Sequence, residues 1–148
     1  MSMLRRAEPS DLERLLAMVE AFHQTAGIDL PPEARNASVS KLLQSPDLGA
    51  IYMIGPTQAP VGYIALTFGF SIAMGGRDAF IDELFIRERV RRKGLGSQVM
   101  AALPALMQEH DILALHLEVD RTNDQALRLY QRARFAMRDN YNLMTLMR

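Results

Sequence analysis

A glycine-rich basic turn, Arg91-Arg92-Lys93-Gly94-Leu95-Gly96-Ser97, joins two segments of different periodicity. Before it, the apolar run Ala79 to Ile86 reads as a strand; after it, Gln98 to His110 reads as an amphipathic helix. A strand that feeds such a turn into a helix makes a phosphate site. The first N–H groups of a helix have no internal acceptor, and the helix dipole favours negative charge there. Glycines at 94 and 96 let main chain approach a ligand with no Cβ between them. Arg91, Arg92 and Lys93 add positive charge, so the turn predicts a phosphate-bearing cofactor held mainly by backbone, with Leu95 and Ser97 in the same cradle.

The glycine spacing excludes two common nucleotide motifs. Lys93 precedes the first glycine, so this is no GxxxxGK[ST] loop. The third glycine of a GxGxxG fingerprint would fall at Val99. The chain has 148 residues, about the size of one domain, and a single domain over 1–148 is expected. Seventeen basic and seventeen acidic residues cancel, so no attraction of the whole chain to nucleic acid or anionic membrane is implied. The absence of cysteine removes disulfides, thiolate metal sites and cysteine nucleophiles. Three scattered histidines show no metal spacing. The N-terminal residues lack the apolar core of a signal peptide, and no apolar run reaches the roughly 20 residues of a spanning helix. A cytoplasmic location is therefore expected.

Element by element, Met3 to Arg6 predicts a first strand. Leu12, Leu15, Leu16, Val19 and Phe22 recur at helical spacing, which predicts a helix over about 11–25, ended by Gly27. Pro31-Pro32 opens a second helix that buries Val39, Leu42 and Leu43 and stops at Ser45-Pro46-Asp47. Ala50 to Ile54 and Val61 to Ile72 read as strands, followed by Phe80 to Ile86. After the helix at 96–110 come a strand at Leu113 to Val119, a helix at Asn123 to Arg132, and closing strands near Phe135 to Arg138 and Asn142 to Met147. The expected class is α/β (α+β), a mixed, mostly antiparallel sheet of about seven strands with helices on both faces. Its order is β-α-α-β-β-β-α-β-α-β-β.

Two motifs in this frame resemble the GNAT superfamily of acyl-CoA-dependent N-acetyltransferases. Arg91, Gly94 and Gly96 match the family turn Gln/Arg-x-x-Gly-x-Gly/Ala, and Asn123-x-x-Ala126-x-x-Leu129-Tyr130 matches the family pattern Asn-x-x-Ala-x-x-Leu-Tyr. The resemblance implies acetyl-CoA as cofactor, its pyrophosphate on the turn and its pantetheine paired with the main chain of Leu84-Phe85-Ile86. Asn123 would contact pantetheine, and the Tyr130 hydroxyl would lie near the thioester sulfur. A homodimer is a further family-level expectation. The family usually has glycine before the aromatic residue after this helix; here Arg134 precedes Phe135, which leaves the shape of that turn open.

Direct transfer from a thioester to a primary amine needs a base for the amine, a donor for the oxyanion and an acid for the thiolate. The resemblance puts the base at Asp82 or Glu83 and the oxyanion donor at a backbone N–H near Ile86. Strand alternation sends the two carboxylates to opposite faces, so without a bulge only one reaches the acceptor. Asp82, two before Leu84, is the preferred base. Tyr130, protonated at neutral pH, is the candidate acid. His116 and Glu118 share one face of their strand and are lesser candidates for touching substrate. His23 and His110 read as surface or helix-end residues, and Tyr63, Phe68 and Phe70 as mostly core. The acceptor would be bounded by the first two helices, the third strand and a hairpin at Asp139 to Tyr141. A small molecule or peptide amine fits; the acidic residues Asp78, Asp82, Glu83 and Asp139 favour a cationic one. The alternative is an acyl-CoA-binding regulatory domain without catalysis.

Overall fold

The computed structural model describes residues 3–91 and 94–148, so Arg92 and Lys93 of the expected phosphate turn lie outside the described residues. Two compact units divide the chain, Met1–Glu118 and Val119–Arg148. The first contains a sheet whose strands lie side by side in chain order: β1 (Leu4–Arg6), β2 (Gly49–Ile54), β3 (Gly62–Ser71), β4 (Gly76–Ile86) and β5 (Ala114–His116). Neighbours are antiparallel except β4 and β5, which are parallel and joined through a helix, as parallel strands require.

The helices form where the sequence signals put them. A short 3-10 turn, Pro9–Asp11, leads into α1 (Leu12–Ala26), which ends at Gly27. The Asp11 carboxylate fixes the entry, accepting from the Glu8 N–H at 2.7 Å and from both terminal nitrogens of Arg5. The second helix, α2 (Pro32–Gln44), starts on the predicted prolines. Leu15, Met18 and Val19 of α1 and Val39 of α2 pack on Ile51, Met53, Tyr63, Ala65 and Phe85, which share one face of the sheet. The opposite face meets α3 (Leu95–Glu109), where Tyr52 of β2 bonds both Glu109 and His110. Pro104 removes one backbone donor from the middle of α3. The helix continues through it with Val99, Met100, Leu103 and Leu106 buried.

Among the described residues five strands replace the seven expected. The strand predicted over Leu113 to Val119 is limited to Ala114–His116. The two closing strands do not form: among the described residues, 133–148 contain no strand. A strand persists only where a partner takes its N–H and C=O groups. Residues 142–148 have no ladder partner, and their apolar side chains come in adjacent pairs, Leu143-Met144 and Leu146-Met147, rather than in the alternation that gives a sheet one buried face. The expected hairpin at Asp139 to Tyr141 is an isolated turn, closed by the Tyr141 N–H on the Arg138 carbonyl and by the Arg138 guanidinium 4.8 Å from the Tyr141 ring.

The second unit is built on α4 (Asp124–Arg132). The Asn123 side chain caps it, accepting from the Ala126 N–H at 3.1 Å. At its other end Arg134 stands at φ 73, in the left-handed region, and the Phe135 N–H reaches back to the Tyr130 carbonyl at 3.0 Å. That bond, with the Tyr130 and Phe135 rings 5.9 Å apart, makes a Schellman cap. The turn is kept although arginine occupies the position that glycine fits best.

Candidate active site

Alternation along β4 is broken where the sequence has its two adjacent acids. Ile81 pairs with Leu66 and Glu83 with Ala65, so Asp82 is an extra residue on β4, a bulge. The bulge changes the expected geometry. Phe80, opposite Thr67, and Glu83, opposite Ala65, both face the α1–α2 side, with Asp82 between them. The expectation that alternation separates the two carboxylates therefore does not hold.

Glu83 is engaged at both oxygens. The Tyr63 hydroxyl donates to Oε1 at 2.8 Å, and His23 Nε2 lies 2.7 Å from Oε2. His23 lies in the last turn of α1, as expected of a helix-end residue, but at 5% exposed it is not on the surface. The signal was present in its spacing: Leu15, Val19 and His23 fall at i, i+4 and i+8, on the buried stripe. Arg35 of α2 approaches the other ring nitrogen, its Nε 3.5 Å from His23 Nδ1, while its Nη2 donates to the Leu30 carbonyl at 2.9 Å. Burial, then the negative charge of Glu83, pushes the Tyr63 hydroxyl well above its ordinary pKa, so it stays a donor. Phe85 packs close by, 6.0 Å from the Tyr63 ring and 6.4 Å from Phe22.

Asp82 accepts no comparable set of bonds among the described residues and keeps an exposed surface. Enough protein surrounds it to disfavour its charge; that burial raises its pKa, and the charges of Glu83 and Glu118 raise it further. On the same side of the sheet, His116 Nε2 lies 3.1 Å from Asp78 Oδ2, and its ring stands 5.1 Å from that of Phe80. Glu118 is exposed just beyond β5. His110 caps α3 and bonds Tyr52, and burial lowers its pKa. Tyr63 is core, as expected; Phe70, 76% exposed, is not.

Beyond this cluster, β4 and β5 part. Among the described residues their pairing runs only from Asp78↔Ala114 to Phe80↔His116, leaving Ile81 to Ile86 without a strand partner on the β5 side. The Ile86 carbonyl there takes a bond from Arg91 Nε at 2.7 Å. The first intrahelical bond of α3 runs from the Gln98 N–H to the Gly94 carbonyl, so Leu95, Gly96 and Ser97 have no intrahelical acceptor for their N–H groups. Gly94, the residue before the helix, has φ 79, a conformation that glycine adopts without strain.

The stretch of β4 beyond Phe80 and the start of α3 are the segments on which the resemblance puts the cofactor. The model of the Acetyltransferase (GNAT) family matches residues 14–135. The chain belongs to the GNAT acetyltransferase family. An integron cassette protein from the mobile metagenome of Cole Harbour Salt Marsh is 32% identical, with a TM-score of 0.86 over 99% of this chain and 91% of that one. The fold is also that of the ribosomal-protein-alanine N-acetyltransferase from Brucella melitensis biovar Abortus 2308, with 15% identity, a TM-score of 0.75, and 97% and 98% of the two chains covered. It is likewise that of AAC(6')-Iy, solved in complex with the bisubstrate analog CoA-S-monomethyl-acetylneamine, with 15% identity, a TM-score of 0.79, and 98% and 96% covered. No curated protein matches the sequence.

The GNAT residues present fit a coenzyme A thioester. The edge of β4 at Leu84 to Ile86, where the Ile86 carbonyl already accepts from Arg91, could pair with an amide-bearing chain, and the α3 start could donate to a pyrophosphate. Asn123 and Tyr130, the other expected cofactor contacts, stand in the second unit. There Asn123 spends its side-chain oxygen on the α4 cap, and burial raises the Tyr130 pKa. No group of His, Asp and Glu among the described residues is arranged to hold a metal. No helix among them is long and apolar enough to cross a membrane.

Proposed function

We propose that this GNAT protein transfers the acetyl group of acetyl-CoA to a primary amine by direct attack within a ternary complex, with 1–148 acting as one acetyltransferase domain. The observation that carries the reading is the bulge at Asp82, which leaves one carboxylate accessible beside the stretch of β4 that has lost its neighbour. Acetyl-CoA supplies the activated acetyl thioester. Asp82 accepts the proton of the incoming ammonium; a carboxylate with raised pKa is better matched to that task than an ordinary one. Glu83, already bonded at both oxygens, is the weaker candidate for base. A backbone N–H near Ile86 serves as oxyanion donor. The Tyr130 hydroxyl, kept protonated by burial, donates to the departing thiolate. Lacking cysteine, the chain has no thiol to carry the acetyl group in transit.

Asp78, Asp82 and Glu118 give the acceptor side a negative character that favours a cationic amine. The cytoplasm is the proposed location.

The test is titration calorimetry with acetyl-CoA on the unmodified protein and on Gly94→Asp. Nothing lies within 4 Å of a Cβ at Gly94, but its φ of 79 strains any side chain, so the substitution adds both charge and a backbone shift at the helix start. Micromolar binding by the unmodified protein is expected, with at least a tenfold loss in the variant, about 1.4 kcal/mol. Free-thiol release with spermidine, neamine and an alanine-terminated peptide then reads transfer. Binding with no release on any amine would favour the regulatory reading; no binding would remove both.

A further inference from the structure

We propose that His23 is a positioning residue for the transfer reaction: it holds the Glu83 carboxylate in place beside Asp82 and so leaves Asp82 free to meet the amine. The inference rests on the transferase reading for its purpose, but its geometry stands independently. A carboxylate only accepts, so the Glu83 contact calls for the ring proton at Nε2, and the donor-only Arg35, its Nε 3.5 Å from Nδ1, favours a lone pair on that nitrogen. The ring proton is then on Nε2, aimed at Glu83 Oε2 at 2.7 Å. Arg35 is itself fixed by the Leu30 carbonyl, so a chain of donors runs from the α1–α2 connection through Arg35 and His23 to Glu83. Tyr63 supplies the second donor, at 2.8 Å on Oε1, from β3.

Three elements thus converge on one carboxylate while its neighbour Asp82 is left accessible. The groups around His23 are Arg35 from α2, Glu83 and Asp82 from β4, and Tyr63 from β3. A leucine at position 23 would satisfy the apolar stripe of α1, so packing alone gives no reason for histidine there. What histidine adds is a directed donor, and its only acceptor among the described residues is Glu83. Without it Oε2 of Glu83 loses its directed donor and the carboxylate is free to turn toward Asp82, whose ionisation its negative charge opposes.

The experiment compares His23→Gln, whose Nε2 can replace the imidazole donor, with His23→Leu, which cannot. With acetyl-CoA and whichever of spermidine, neamine and the alanine-terminated peptide the unmodified protein acetylates, kcat/KM is followed against pH. The expected result is an acid limb shifted upward by about one pH unit in His23→Leu and restored in His23→Gln. A uniform loss of rate in His23→Leu with the limb unmoved would make His23 merely structural and overturn the proposal. A long-range proton–nitrogen NMR spectrum of the unmodified protein supplies a readout that needs no turnover. A proton on Nε2 of His23 supports the proposal, and a proton on Nδ1 alone overturns it. If no amine is acetylated, the transferase reading fails and this spectrum still decides whether His23 holds Glu83.

Discussion

Asp82 and Glu83 have the same chemistry and opposite circumstances, and the difference comes from one unpaired residue in β4. Glu83 is held by a donor at each oxygen, whereas Asp82 must ionise against burial and the charge of its neighbour. Its folded pKa is raised, so the native state binds the Asp82 proton more tightly than the unfolded chain does. Its ionisation costs no stability below the unfolded value near 3.9, and stability is lost as pH rises through the folded value. Asp82→Asn is therefore expected to melt higher than the unmodified protein near pH 8, with the two converging at about pH 3. It is also expected to lose about 10²–10⁴-fold in acetyl transfer. Melting curves at both pH values, alongside thiol-release rates, check the pair of effects; unchanged transfer would remove Asp82 as base. Arg134 shows the reverse economy. The left-handed position at the end of α4 strains any residue with a Cβ, so Arg134→Gly is expected to stabilise by about 1 kcal/mol in urea unfolding. The Schellman bonds of Phe135 and Arg134 use backbone and survive the change.

Strand β4 is placed by a near-contact that only glycine permits. A Cβ at Gly62 would lie 2.1 Å from the Phe85 carbonyl oxygen, a main-chain atom that cannot swing aside. Gly62→Ala is expected to cost about 2 kcal/mol or more and to push β4 away from β3 at Phe85 and Ile86. Because that stretch is the proposed pantetheine edge, acetyl-CoA affinity should fall with stability, whereas Arg134→Gly should leave affinity unchanged. Calorimetry on both variants makes the comparison. Much of this arrangement was legible in the sequence because its signals are local. Pro31-Pro32 and Gly27 mark helix ends whatever surrounds them, and the helical stripe of α1 includes His23 once the spacing is followed to i+8. The bulge was not legible. It depends on how many residues of β4 lie opposite Ala65 and Leu66, a match between strands that no window along one strand can register. The role of Asn123 was not read from the sequence, which assigned it to the cofactor, whereas the structure has its side-chain oxygen on the Ala126 N–H as the α4 cap.

The misjudged part of the chain is its end. A run such as Asn142 to Met147 has strand-like composition, yet a strand exists only in company, and the sheet ends at the three residues of β5. Sequence composition reports what a segment could bury, while edge availability is a property of the finished sheet. The consequence can be measured on the intact protein by hydrogen exchange. Amides of β2, β3 and the paired part of β4 should exchange only through the largest openings, since both sides of the ladder and two packed helix layers protect them. Amides over 142–148 should exchange within seconds to minutes, because no ladder bonds hold them and Leu143, Met144, Leu146 and Met147 are all exposed. Slow exchange there in the protein alone would contradict the five-stranded description. Addition of acetyl-CoA gives the same experiment a second use. Saturation at about one hundred times Kd should stabilise the native state by about 2.7 kcal/mol, and in the transferase reading the added protection should concentrate at Leu84 to Ile86 and in the first turn of α3. Protection spread evenly over the chain would instead indicate ligand-linked global stability without a contact at the β4 edge.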